Sequence, residues 1–293
     1  MFKRMTAALA VVLGAALVAA ACSQQSVPSG SSLPQESASA LESPTARQSP
    51  AASPTLQQEE PTASPPTEAE ATPSPSEAPA AKLYKMDSVY RFKPIDKGVT
   101  DKVVLLTFDD GPHNKEVLTS LLDTLDKHKA KAIFFVNGYR VKANPDLLSL
   151  IHERGQTIGN HSWDHINLKK ESAAKVEQQV ADVQDRVMKL TGEAPKFFRP
   201  PYGSGNDSVK EIVKNHGMLY MTWSNGSLDW EQKSPGDPDK VVASVLEQLH
   251  PGANILMHEL AWTAEALDKL LTQLEDKGYG FIDPAAIDTE QTN

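Results

Sequence analysis

The sequence predicts an α/β fold in which strands and helices alternate around a barrel-like parallel sheet. Three observations predict it. First, seven apolar bursts of strand length, at 103–108, 132–136, 156–160, 197–199, 218–223, 253–258 and 279–282, alternate with six longer amphipathic stretches, at 115–128, 145–154, 173–190, 208–215, 239–249 and 263–277. Second, no glycine-rich nucleotide loop follows a strand, which favours barrel closure over a doubly wound sheet. Third, the polar clusters fall at strand ends, the rim where parallel barrels carry their chemistry. The helical stretches stop near Gly155, Gly192, Gly217, Pro251 or Gly278, residues that terminate a helix by adopting positive φ or by lacking an N–H.

The chain opens with Lys3 and Arg4 and an apolar run from about Ala7 to Ala21. A run this short and alanine-rich reads as an export signal, not as a membrane-spanning helix. It ends at Ala19-Ala20-Ala21-Cys22, and Cys22 is the single cysteine of the chain. Small residues running into a cysteine resemble the lipobox of bacterial lipoproteins, which implies lipidation of Cys22 and a membrane anchor. Cleavage at the alanines, with secretion of the protein, is the alternative. One cysteine cannot form a disulfide framework. Residues 1–22 are thus expected to be a signal segment. Residues 23–81 are dominated by Ser, Pro, Ala, Thr, Glu and Gln and carry too few large apolar side chains to build a core, so a disordered linker is expected. About 60 such residues span roughly 40–45 Å, enough for a tether that reaches a wall or matrix polymer from a membrane.

Residues 82–293 form the folded domain, of ordinary single-domain size. The net charge of −9 is shared between linker and domain, and no basic stripe is present, which argues against a nucleic-acid partner.

The strand ends carry the candidate chemistry. The first runs into Asp109-Asp110-Gly111-Pro112. Two adjacent carboxylates repel unless a cation compensates them, and neighbouring side chains point apart, so they cannot flank one glycosidic bond as a glycosidase pair does. They can divide labour between metal binding and proton transfer, although taken alone the segment reads more readily as a solvated turn. His161 and His165, spaced i and i+4, with one carboxylate make a three-ligand set that leaves a position open for water. Arg199 ends an apolar strand and needs a carboxylate partner if buried, for which Asp109 is the candidate. His258 also ends an apolar strand, and a partner such as Asp229 would raise its pKa and suit it to general-acid work. Trp163, Trp223, Trp230 and Trp262 are candidates to line a sugar groove. His113, His128, His152, His216 and His250 read as surface or capping residues.

Together these clusters resemble the polysaccharide deacetylase family (carbohydrate esterase family 4, the NodB homology domain). Thr107-Phe108-Asp109-Asp110-Gly111-Pro112, His161-Ser162-Trp163-Asp164-His165, Arg199-Pro200-Pro201-Tyr202, Asp229-Trp230 and Leu256-Met257-His258 are similar to its five motifs and occur in its order. Gly226 stands where the fourth motif has an aspartate. The resemblance implies a distorted (β/α)7 barrel and removal of N-acetyl groups from an extracellular polysaccharide, with peptidoglycan amino sugars ahead of chitin-like or poly-N-acetylglucosamine polymers and of O-acetyl xylan. A non-catalytic polysaccharide-binding protein on the same fold is the other alternative. The resemblance also implies roles: Asp110, His161 and His165 hold one divalent ion, zinc before cobalt or manganese; Asp109 is the base, oriented by Arg199; the Tyr202 N–H receives the oxyanion; His258, supported by Asp229, is the acid; Trp230 and Leu256 flank the acetyl pocket. The expected protein is a monomer on the outer face of the cell membrane.

Overall fold

The computed structural model describes residues 81–233 and 236–290. The export segment, Cys22 and nearly all of the linker expected over 23–81 lie outside the described residues.

The sheet grows from β3 (Val103–Gly111), nine residues buried along almost their whole length. Alternation divides its side chains between two cores. Val104, Leu106 and Phe108 face the helices, packing with α1 (Lys115–Lys127) and α7 (Ala261–Asp276) residues such as Leu121 and Leu270, while Val103 and Leu105 face the barrel interior with Ile133, Phe135, Phe197, Leu219 and Met221. The same inward parity continues to Thr107 and Asp109, which is how β3 delivers a carboxylate to the rim. A strand buried on both sides must be apolar throughout, so β3 shows no alternation of polarity in its first six residues.

The strands run parallel in the order β7-β6-β5-β4-β3-β9-β8, with β4 (Ala132–Val136), β5 (Thr157–Asn160), β6 (Phe197–Phe198), β7 (Leu219–Tyr220), β8 (Asn225–Gly226) and β9 (Ala253–His258). β10 (Gly280–Phe281) lies off this path, pairing with Val103 and Val104 at the start of β3, ahead of where β4 joins at Leu106. This curled, incompletely closed parallel sheet is the distorted (β/α)7 architecture that the sequence pattern predicts.

The single strand expected over 218–223 is instead two short strands at opposite ends of the path. Residues 221–224 cross between them. Met221 N–H bonds to Phe198 O at 2.9 Å and Ser224 N–H to Asn254 O at 3.1 Å. The carbonyl of Thr222 accepts from Arg199 Nη2 at 2.9 Å and Asn254 Nδ2 at 3.0 Å. Two buried side chains thus close the barrel where a backbone ladder is missing, satisfying a carbonyl that a buried gap would otherwise orphan.

Three further elements carry little sequence periodicity. An antiparallel pair, β1 (Tyr84–Met86) and β2 (Phe92–Pro94), plugs the end of the barrel opposite the rim with Tyr84, Met86 and Phe92. Gly252 (φ +71°) accommodates it, since a Cβ there would meet the backbone of Phe92. The six-residue helix α2 (Gly138–Ala143) precedes α3 (Pro145–Glu153). The remaining helices, α4 (Ala173–Thr191), α5 (Asp207–Asn215) and α6 (Pro238–Glu247), fall within two residues of the predicted bounds. Asn114, Ser172 and Asn206 cap α1, α4 and α5 through side-chain oxygens, and Gly192 ends α4 at φ 80°. Among the described residues no helix is long and apolar enough to cross a membrane.

Candidate active site and metal centre

The rim gathers Asp109, Asp110, His161, His165, Arg199, Asp229 and His258 from the ends of β3, β5, β6 and β9 and the 3-10 turn after β8. Asp109 is 3 % exposed and shares a buried ion pair with Arg199, Nη1 donating to Oδ1 at 2.7 Å. The guanidinium is fixed through both terminal nitrogens, while its buried Nε has no hydrogen-bond partner. Nη1 also reaches Thr107 Oγ1 at 2.8 Å, Nη2 reaches Asn254 Oδ1 at 3.1 Å, and the Phe135 ring lies 4.3 Å away. Burial raises the Asp109 pKa above the ordinary carboxylate range, and the Arg199 charge opposes it without cancelling it. A carboxylate in that condition has more proton affinity than a solvated one, as a base requires.

Asp110 sits next to Asp109 yet faces the same rim. The ladder to β4 shifts here, so that Asp109 is opposite Phe135 and Gly111 opposite Val136, leaving Asp110 as an extra residue at φ 65°. A bulge of this kind re-aims one side chain out of the strand's alternation. The Asp110 carboxylate is thereby brought 3.6 Å from His161 Nε2 and 3.3 Å from His165 Nε2.

These three residues offer ligand atoms that all lie within 4.8 Å of one another. Two further facts show that they fit a metal ion. Asp110 Oδ1 is buried and accepts no hydrogen bond, an expensive state for a carboxylate oxygen without a cation. His161 donates Nδ1–H to the Arg199 carbonyl at 2.7 Å, so its Nε2 lone pair faces Asp110. Burial lowers the His161 pKa to about 3, keeping the ring neutral as a ligand must be.

His258 and Asp229 form the opposite wall. Asp229 is fully buried and accepts three hydrogen bonds: His258 Nδ1–H at 2.8 Å, His258 backbone N–H at 2.7 Å and Thr263 O–H at 2.7 Å. Burial pulls the His258 pKa down, but the bond and charge of Asp229, with Asp109 and Asp110 behind them, outweigh it and leave the pKa raised.

Tyr202 and Leu228 carry left-handed backbones (φ 60° and 56°), as do Asp110, Ser162 and His165. Five strained non-glycine residues on one rim indicate a site over-determined by its surroundings. The Tyr202 ring is 66 % exposed and packs edge-on to His165, with centroids 4.7 Å apart. Trp230 lies between Trp223 and His258, at 6.2 and 5.4 Å. Leu256 is buried on the same face of β9 as His258.

The four tryptophans do not line one groove. Trp163 packs against Gly138, and Trp262 donates its indole N–H to the Asp229 carbonyl, so both build the scaffold. Trp223 is half-buried, and only Trp230 is exposed at the rim. His128, expected as a surface or capping residue, is the C-cap of α1, and its side chain is largely covered between α1 and α7 with Asp268 and Glu275 on its two ring nitrogens. At Gly226 the Trp230 ring lies 3.1 Å from where a Cβ would stand, so a side chain there would require the indole to shift by a few tenths of an ångström.

Thr107, Asn254, Thr263 and Glu259 escaped the reading of the sequence. Asn254 left a signal, being a lone amide in an apolar strand two and four residues before Leu256 and His258. Glu259 is 1 % exposed and accepts the N–H groups of His113 and Asn114, tying the end of β9 to the loop after Asp110.

Fold and rim define an α/β-barrel protein with a candidate metal centre beside two buried carboxylate pairs, Asp109 with Arg199 and Asp229 with His258. A family model described as polysaccharide deacetylase matches residues 96–221. The chain is 40 % identical over 202 residues to the peptidoglycan-N-acetylglucosamine deacetylase PgdA of Listeria monocytogenes, covering 69 % of this chain and 42 % of that protein. It is 34 % identical over 183 residues to the peptidoglycan-N-acetylmuramic acid deacetylase PdaA of Bacillus subtilis, covering 62 % and 69 %. Among solved structures, a carbohydrate esterase family 4 pseudoenzyme from Bacillus anthracis superposes with a TM-score of 0.59 at 34 % identity, covering 61 % of this chain and 63 % of that one. The chain belongs to the polysaccharide deacetylase family. It spans less than half the length of the Listeria relative, and Asp229 and His258 lie beyond the residues that the family model matches.

Proposed function

We propose that this chain is a metal-dependent deacetylase that hydrolyses N-acetyl groups on peptidoglycan amino sugars and releases acetate. A pseudoenzyme among its structural neighbours means that family membership alone does not carry activity. The observation that carries it is the pairing on either side of the Asp110, His161 and His165 cluster: Asp109 held by Arg199, and His258 held by Asp229.

A divalent ion, zinc before cobalt or manganese, held by Asp110, His161 and His165 would polarise the acetyl carbonyl and acidify water. Asp109 takes a proton from the attacking water, its Oδ1 locked on Arg199 and its Oδ2 toward the cluster, 3.7 Å from His161 Nε2. The carbonyl oxygen gains negative charge and is received by the N–H of Tyr202. His258 is protonated, donates Nδ1–H to Asp229 and presents Nε2–H to the departing nitrogen. As the C–N bond breaks, that nitrogen takes the proton and leaves as the free amine. The proton on Asp109 returns through solvent to His258, the acetic acid formed gives its remaining proton to the amine through solvent, and acetate departs. Trp230 and Leu256 flank the acetyl methyl. Leaving-group protonation requires His258 charged at working pH, which its raised pKa provides.

The export segment, Cys22 and the Pro- and Ser-rich 23–81 support an enzyme tethered by lipid to the outer face of the cell membrane and acting, as a monomer, on a wall polymer. Substitution of Cys22 by serine should move the protein from membrane to medium.

The test of the activity is acetate release from purified peptidoglycan, chitin oligomers and acetylxylan side by side, with and without chelator. Release from peptidoglycan that chelation abolishes is the expected result. No release from any of the three with zinc, cobalt and manganese supplied would return the chain to a binding role.

A further inference from the structure

Arg140 is a cation beside the rim with no ion-pair partner among the described residues. It rides on α2, which is fastened to both metal-ligand loops. Asn137 N–H bonds to Gly111 O at 3.1 Å and its side-chain amide to His161 O at 2.9 Å; Gly138 N–H reaches Ser162 O and Tyr139 N–H reaches Trp163 O, each at 3.1 Å. At the far end, Asn144 Nδ2 holds Pro112 O at 3.2 Å. The side chain is pre-oriented as well. Nε donates to Tyr139 Oη at 2.8 Å, and the guanidinium lies 5.3 Å from the centre of that ring.

What Arg140 lacks is an anion. The protein is acidic, yet among the described residues no carboxylate forms an ion pair with Arg140, and its two terminal nitrogens have no acceptor. Arg154 and Arg199 do have such partners, Asp123 with Asp126 and Asp109 respectively, whereas Arg91 and Arg186, like Arg140, form no ion pair among the described residues. The Arg140 charge acts on His113 and Glu259, which flank Gly111 and Pro112, so it stands beside the Asp110 loop. A cleft beyond the far end of α2, which Arg140 itself does not line, is bounded by His113, Lys115, Asn144, Asp146, Leu150 and Glu153. Lys115, at its mouth, is likewise without an ion-pair partner among the described residues. A planar fork with both terminal nitrogens free is the geometry that binds a carboxylate in bidentate fashion.

We infer that Arg140, steadied by Tyr139, is an anion-recognition subsite that selects substrates bearing a carboxylate on the sugar's 3-O substituent, as muramic acid does and N-acetylglucosamine does not. The inference rests on the deacetylase reading. The carboxylate has two sources: the lactyl group itself when bare, or the stem peptide when the lactyl group is amidated.

The test compares three substrates with the full chain in its metal-loaded form: neutral N-acetylglucosamine oligomers, glycan strands with bare lactyl groups, and strands with intact stem peptides. For the wild type and for Arg140→Gln, Arg140→Lys and Arg140→Glu, the quantity read is the ratio of kcat/KM on each anionic substrate to that on the neutral oligomer. Arg140→Gln should lower that ratio about tenfold, the loss expected for one charge-assisted pair. Arg140→Lys should fall between the two, Arg140→Glu should lower it further, and salt should compress the wild-type ratio. Whichever anionic substrate shows the drop identifies the source of the carboxylate. An unchanged ratio on both, with the variants folded by circular dichroism, overturns the subsite. Absence of acetate release by the wild type from all three overturns the deacetylase reading instead, so the two failures are distinct.

Discussion

Asp229→Asn isolates the charge on the acid side of the site with little change of shape. The carboxylate takes two donors on Oδ2, the His258 backbone N–H and the Thr263 hydroxyl, and one on Oδ1, the His258 Nδ1–H. An asparagine whose carbonyl oxygen occupies the Oδ2 position keeps the first two bonds, so β9 and α7 stay where they are. Its NH2 then meets Nδ1, which must become an acceptor, and the neutral Nε2–H tautomer of His258 is favoured. The lost charge-assisted bond costs ~1–3 kcal/mol of imidazolium stabilisation, equivalent to about 1–2 pKa units. The sign follows from the role. An acid acts when protonated, so activity is lost as pH rises through the His258 pKa, which Asp229 helps to raise. The variant should therefore move the alkaline limb of kcat/KM down by ~1–2 pH units and reduce kcat at neutral pH by ~10²–10³. The assay is acetate release from a soluble N-acetylated oligosaccharide between pH 5 and 10. An alkaline limb at its original pH, with kcat within about threefold of wild type, would refute the assignment of His258 and Asp229 as acid and partner.

Three other perturbations bear on different parts of the site. Asp109→Asn should cut acetate release by at least ~10³ while leaving bound metal at the wild-type level, measured by plasma emission after dialysis; activity near wild type would remove the base assignment. His161→Ala should lose the bound ion, because it deletes a ligand whose Nδ1 is already committed to the Arg199 carbonyl; unchanged metal content would mean that the ion is held elsewhere. Arg199→Ala strands Asp109 as a buried charge and removes one of the two donors to the Thr222 carbonyl at the barrel crossing, so unfolding stability should fall by ~3–5 kcal/mol, about 10 °C in Tm for a domain of this size. A Tm within two or three degrees of wild type would show that the pair bears little of the barrel's closure.

Much of this protein was readable without coordinates. The helices came within about two residues of their predicted bounds because each has a regular apolar face and a capping or stopping residue such as Ser172 or Gly192. The long central strands declared themselves because a strand covered on both faces is apolar on both, as Ala132–Val136 is throughout and Val103–Phe108 is at every position but Thr107. The short elements did not. β6, β7 and β8 are two residues each, below any period, and their pairing is decided by what lies beside them.

The sequence by itself determined which residue types stand at which strand ends, and hence the candidate ligands, base and acid. Spacing along a chain does not say where a side chain points. Adjacent carboxylates on a regular strand face opposite sides, and only the bulge at Asp110, against the register of β4, turns both toward one rim. Tertiary packing likewise decided the partners. Arg199 meets Asp109 from 90 residues away, and Asp229 meets His258 from 29, because a curled sheet brings the ends of β3, β6 and β9 together. The barrel gap between β7 and β8 was also a tertiary outcome: buried carbonyls there require donors, and Arg199 and Asn254 supply them to Thr222. Local sequence sets local preference, whereas the direction and company of a buried polar group are set by the need to satisfy it where water cannot reach.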